Sequence, residues 1–247
     1  MSKKFWFLSL LAVIASFFGG FLMANAFNRN ELNSLRAEND RLKSSSPESA
    51  DNSNASSIDN NELTQKIAEA DKNPDNFDYQ KNLGLALYKY AAMKRDTDLL
   101  KESARILGRA ANLRSGDLDV LIGLGNAHFD LGYFGKDNAE LVRSRDPYTR
   151  ALALRPNDVE VTTDLGLTYF LVDPPEDQKA VVEFQKSLKS NPKHEKTLEF
   201  MIQSLIRLNR LSEAETYLVQ LRVADPSSDA IDGLAAKMQQ AKVAVAK

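Results

Sequence analysis

Arg155-Pro156-Asn157-Asp158-Val159-Glu160-Val161-Thr162-Thr163-Asp164-Leu165-Gly166 is a turn running into the first half of a helix, and the chain writes it more than once. Its Leu165-Gly166 pair returns as Leu124-Gly125 and Leu83-Gly84 at a constant step of 41 residues, and Met201-Ile202 takes the same place 36 residues later. The turn returns as Asn73-Pro74-Asp75-Asn76, Arg114-Ser115-Gly116-Asp117 and Asn191-Pro192-Lys193-His194, and Asp225-Pro226-Ser227-Ser228 closes the last unit. A fixed period of this size marks a stack of like supersecondary units, none able to bury its apolar face alone.

Each unit reads as two antiparallel helices, because apolar residues recur at 3–4 spacing through both halves. First helices are expected at about Phe77–Lys94, Leu118–Tyr133, Val159–Val172 and Glu195–Leu208. Second helices are expected at about Asp98–Leu113, Glu140–Leu154, Glu176–Lys189 and Ser212–Val223, the third of these capped by Asp173 with Pro174-Pro175 in its first turn. Gly84, Gly125 and Gly166 fall mid-helix, where Gly costs up to about 1 kcal/mol relative to Ala. A cost repeated at one phase implies a partner helix too close for a Cβ. Glu62–Asp71, with Leu63, Ile67 and Ala70 on one face, reads as a leading half-repeat, and residues 229–247 as a capping helix.

The ends differ from this body. Met1 to Lys4 carries two lysines, and Phe5 to Phe27 carries no charge, a length that spans about 30 Å of hydrocarbon as a helix. Lys3 and Lys4 favour a cytoplasmic N-terminus and an exported body. Ala24-Asn25-Ala26 offers the alternative of a cleaved leader, although the apolar run exceeds the usual h-region. Residues 28–43 read as a short helical stalk, with Leu32, Leu35, Asn39 and Leu42 at a and d positions, through which two copies could pair. Residues 44–60 are Ser-, Asn- and Asp-rich and expected to be a disordered linker; residues 61–247 form the repeat domain.

With these residues placed, the chain resembles tetratricopeptide-repeat (TPR) proteins. That family's pattern is met by Leu165-Gly166, Tyr169, Ala180, Phe184, Leu188 and Pro192. The preceding unit meets it through Leu124-Gly125, His128, Tyr148, Ala151, Leu154 and Pro156. The earliest meets it through Leu83-Gly84, Leu87, Ala110 and Leu113, with Ser115 in place of Pro; the last keeps Leu205, Ala214, Leu218 and Pro226. The resemblance implies an all-α, right-handed superhelix whose first helices line a concave groove for a protein or peptide client. It places Lys81, Leu85 and Tyr88 on that groove, then Ile122, Asn126 and Phe129, then Thr163, Leu167 and Phe170, then Glu199, Gln203 and Ile206. The row Tyr88, Phe129, Phe170 would suit an apolar segment, or else serve ordinary packing between repeats. A chaperone-type carboxylate clamp is not expected, since Leu85 stands where Asn is needed. The first two units carry seven residues beyond the usual 34-residue repeat. One extra turn in each helix would absorb them; a protruding binding edge is the alternative.

Chemistry is hard to place on this chain. It has no Cys, its net charge of −2 gives no electrostatic case for nucleic acid, and His128 and His194 are its two histidines. His128 is expected in a core slot and His194 in a solvated turn. Acidic residues are expected along polar faces, and no nucleotide, metal or nucleophile motif is present. The expectation is therefore no enzyme, no cofactor and no metal, but a membrane-anchored scaffold or adaptor in the inner membrane with its repeats in the periplasm. In architecture it is similar to the TPR factors of cytochrome c maturation. The alternative is a permanent structural subunit of a membrane complex.

Overall fold

A computed structural model describes residues 60–245. They form eleven helices and, among the described residues, no strand: α1 Asn60–Lys72, α2 Phe77–Lys94, α3 Thr97–Leu113, α4 Leu118–Gly135, α5 Asn138–Arg143, α6 Arg145–Leu154, α7 Val159–Leu171, α8 Asp177–Ser190, α9 Glu195–Arg207, α10 Leu211–Ala224 and α11 Ala230–Val245. Among these residues no helix is long and apolar enough to cross a membrane. The expected span at residues 5–27, the stalk residues Leu32, Leu35, Asn39 and Leu42, and the linker at 44–60 lie, but for Asn60, outside the described residues.

Sequence chemistry sets the helix starts. Asn76, Asp117 and Asp158 sit at equivalent turns, and each side chain accepts from a backbone N–H three residues on, at 3.0–3.1 Å. Asp96 caps α3 by accepting from the N–H groups of Asp98 and Leu99, and Asp137 caps α5 by accepting from that of Ala139. The third unit departs from expectation: α8 begins at Asp177 after Glu176, which makes no side-chain cap. Asp173 is instead held by Asn138 of the preceding unit, whose amide donates to the Asp173 carbonyl at 2.7 Å.

The three glycines at the recurrent phase mark close crossings. A Cβ on Gly84 would lie 2.7 Å from Leu107, one on Gly125 2.6 Å from the Tyr148 ring, and one on Gly166 2.5 Å from the Phe184 ring. Each glycine thus opens a slot for one large side chain of the second helix, and Leu107, Tyr148 and Phe184 are buried there. The seven added residues lengthen both helices: α2 and α4 have 18 residues against 13 in α7, and α3 has 17 against 14 in α8. The added turns pack on each other, with Ala91 and Leu100 buried in the first unit. At the matching place in the second, Gly132 leaves no room for a Cβ, which would meet the Leu141 backbone at 2.7 Å.

One expected helix is broken. The segment read as a single helix over residues 140–154 divides at Ser144 into α5 and α6. Pro147 has no N–H for the Arg143 carbonyl and its ring crowds that carbonyl. The ladder otherwise continues on both sides, from Ser144 N to Glu140 O and from Tyr148 N to Ser144 O.

Candidate partner-binding face

First helices of successive units touch one another, α2 against α4, α4 against α7, α7 against α9 and α9 against α11, so they present one inner face. The twelve residues assigned to it fare differently along the stack. In the first two units Tyr88, Asn126 and Phe129 are half-buried, with an edge left to solvent. Leu85 and Ile122 are also half-buried but serve packing: the Leu85 side chain fills the space a Cβ on Gly123 would need, and Ile122 lies against the Tyr148 cluster. Lys81 is not free, since its ammonium lies 2.9 Å from Asp117 and 2.8 Å from Asp119.

The third unit contradicts the assignment. Thr163, Leu167 and Phe170 are buried, with 0 %, 3 % and 8 % of their surface exposed, so Thr163 and Leu167 are not offered to a ligand and Phe170 keeps only an edge. The hydroxyls of Thr163, Ser187 and Thr197 hydrogen-bond one another at 2.7–3.1 Å. Phe170 is covered by the Arg207 guanidinium, 3.7 Å above its ring, and meets Phe200 edge-on at 5.0 Å. Arg207 is fixed in turn by Asp177 at 2.5 Å. In the fourth unit Glu199 accepts from Ser228, while Gln203 and Ile206 line a cavity of about 260 Å³ with Phe170, Arg207 and Lys237.

Two histidines were misplaced in part. His128 is half-buried, its Nδ1 2.6 Å from Glu140, which Arg143 also pairs. His194 is not solvated: only 16 % of its side chain is exposed, and it bridges Thr197 at 2.6 Å and Glu160 at 3.0 Å, tying α9 to α7.

At the middle of the face lies a polar cluster that the sequence reading missed. The Tyr148 hydroxyl reaches across the Gly125 slot and donates to Asn126 Oδ1 at 2.8 Å. Tyr88 and Asp130 lie beside Asn126, close enough for the Tyr88 hydroxyl to act on the Asp130 carboxylate. Asp164 faces the same cluster from α7, bonded to Lys196 at 2.8 Å. Burial, with the like charge of Asp164, pushes the Asp130 carboxyl up to about 6, the nearby Tyr88 hydroxyl opposing the shift. Burial also raises Asp164 against the pull of Lys196. Tyr88 is raised by burial and by Asp130, and Tyr148 by burial. The acidic residues are therefore not all on polar faces: two enter an aromatic setting. Beside Asp130, Phe129 stacks on Tyr133 at 6.4 Å, and Tyr133 is 56 % exposed.

No protein-family model matches the chain, and no curated protein sequence matches it. Solved structures do. MamA is 17% identical, with a TM-score of 0.53 over 66% of this chain and 81% of that one. A MamA point mutant is 23% identical, with a TM-score of 0.53 over 66% and 82%. A tetratricopeptide repeat protein from Parabacteroides merdae ATCC 43184 is 16% identical, with a TM-score of 0.52 over 66% of this chain and 60% of that chain. At such identities the likeness is one of fold, and the fold is that of tetratricopeptide-repeat proteins.

Proposed function

We propose that the chain is a membrane-anchored scaffold whose repeat domain holds a protein client or subunit against the inner face of its first helices during assembly of a larger complex. One observation carries the reading: Tyr133, 56 % exposed, stacks on Phe129 beside the polar cluster of Tyr88, Asn126 and Asp130. Exposed aromatics rimmed by hydrogen-bonding groups are the composition of interface anchors. The uncharged run from Phe5 to Phe27 supports tethering to an inner membrane with the repeats outside the cytosol. The heptad positions Leu32, Leu35, Asn39 and Leu42 support pairing of two copies through the stalk. Cytochrome assembly is the architectural precedent for such an arrangement.

The test is photocrosslinking in cells from the full-length chain, with a photoreactive residue at Phe129 and a control at Val182 on α8, which is 43 % exposed. Capture of another protein from position 129 and not from 182 is the expected result. Crosslinks from 129 that reach only its own neighbouring helices end the reading. Membrane fractionation with protease accessibility checks the tether: a repeat domain shielded with cytosolic markers overturns the orientation. A transient adaptor dissociates from its complex on dilution, whereas a permanent subunit stays stoichiometric.

A further inference from the structure

Resting on that reading, we propose that the partner meets this face with a Lys or Arg side chain carried on an apolar segment, seated against the Asp130 carboxylate and the rings of Phe129 and Tyr133.

Charge complementarity makes the case. Several carboxylates near the inner face have their own cations, Asp117 and Asp119 sharing Lys81 and Asp164 having Lys196, while Glu199 in the fourth unit accepts from the Ser228 hydroxyl. Asp130 has the Tyr88 hydroxyl nearby, and the one cation that acts on it is Lys196, already bonded to Asp164. The groups facing Asp130 are Tyr88 of α2, Tyr148 of α6, Asp164 of α7 and Lys196 of α9. Two carboxylates thus share one ammonium, and the deficit is one positive charge.

The surroundings suit that charge when it arrives on a side chain. On α4, Asn126 is one turn before Asp130 and Tyr133 one turn after, so all three share a surface. Aromatic rings attract an ammonium or guanidinium through their negative faces, and their apolar edges accept its methylene stem. A free metal ion is a poor fit, since no group of three His, Asp or Glu capable of holding one exists among the described residues. Anionic partners, a lipid surface or nucleic acid, would be repelled. Tyr148 holds the Asn126 side chain, one turn before Asp130, in place before a partner binds, which lowers the ordering cost of association.

The probe is a labelled helical peptide of leucine and lysine, with a leucine–glutamate peptide of equal length as its counterpart, titrated by anisotropy against the full-length chain in detergent. The leucine–lysine peptide is expected to bind and its counterpart not. Asp130→Asn should weaken binding about tenfold or more, while Asp232→Asn on α11, an exposed carboxylate elsewhere, leaves it unchanged. Wild-type affinity should fall as pH drops through about 6, a dependence that Asp130→Asn removes. A circular-dichroism melt confirms that the Asn variant folds. Equal affinity of the wild type and Asp130→Asn, or failure of the leucine–lysine peptide to bind, overturns the inference. Its failure is separable from that of the scaffold reading: crosslinks from Phe129 to another protein alongside an indifferent Asp130→Asn leave the scaffold standing and remove the cation. Self-crosslinks alone remove both.

Discussion

Tyr88, Asn126 and Phe129 in the first two units keep an edge in solvent, whereas Thr163, Leu167 and Phe170, at matching positions of the third, are closed over. The closure has named parts: a hydroxyl triad between α7, α8 and α9, His194 as a bridge, and Arg207 laid over Phe170. The first two units have longer helices and, in place of that seal, a polar relay in which Tyr148 bonds Asn126 beside Tyr88 and the Asp130 carboxylate. One repeat pattern therefore serves two ends. The shorter half seals its inner face against the next helices, and the longer half leaves aromatic and polar side chains partly in solvent.

The largest expected effects test the slots beneath the glycines. Phe184 is fully buried, so Phe184→Ala should cost about 3–5 kcal/mol in urea unfolding. Its counterpart Tyr148 fills the same slot but spends its hydroxyl on Asn126, so Tyr148→Phe should cost only about 1 kcal/mol. If Tyr148→Phe proves as costly as Phe184→Ala, the relay is a pillar of the fold and the contrast between the halves collapses.

Glycine substitutions come next. Gly166→Ala forces a Cβ into the Phe184 ring and should destabilise by about 1–3 kcal/mol. Gly108→Ala on α3, where a Cβ would meet nothing within 4 Å, should stabilise by up to about 1 kcal/mol through helix propensity. Opposite signs from one chemical change are what the recurrent phase demands; equal signs would mean that the crossings have slack.

Asp130 gives a pH test of the same division. Its carboxyl is raised to about 6 in the folded chain, above the ordinary 3.8, so the folded state holds the proton more tightly than the unfolded one. Stability should therefore rise as pH falls through about 6, and the ionised group costs stability above that. Asp130→Asn should melt higher than wild type near pH 7.5, with the gap narrowing toward about pH 4.5. Asp164 is raised too and adds a slope of the same sign that persists in the variant. A variant that melts lower than wild type near neutrality would make Asp130 a structural residue.

Much of this was legible in the residues. The phase of Gly84, Gly125 and Gly166 foretold close helix crossings, and an excess of seven residues foretold a turn more in each helix. The break at Ser144 was visible as Pro147 and was overlooked because apolar spacing runs through it. The closure of the third unit was not legible. Thr163 and Phe170 fall at ligand-facing positions of the pattern, and only the neighbouring unit, through Thr197 and Arg207, turns them inward. Asp130 lies one residue past Phe129, off the recurrent ligand-facing phase, and its place four residues after Asn126 is the available signal. Burial of a single carboxylate depends on neighbours 34 and more residues away, Asp164 and Tyr88 among them, which a local period cannot weigh.

The smallest effect concerns the turns between paired helices. Arg95, Lys136 and Asn209 all adopt left-handed backbone, with φ of 55°, 53° and 58°. Side chains with a Cβ are disfavoured there, and Gly is not. Lys136→Gly should therefore raise stability by about 0.5–1 kcal/mol, read as a small upward shift in Tm. Asn209→Gly should gain less, because Asn already tolerates this region. Arg95→Gly should gain least of all: the Arg95 guanidinium lies 5.8 Å over the Phe134 ring, and losing that contact offsets the relief of backbone strain. The order Lys136, Asn209, Arg95 is the informative result. A gain at Arg95 equal to that at Lys136 would show that the aromatic end of the extended units contributes nothing to the fold, which is what a surface kept for a partner requires.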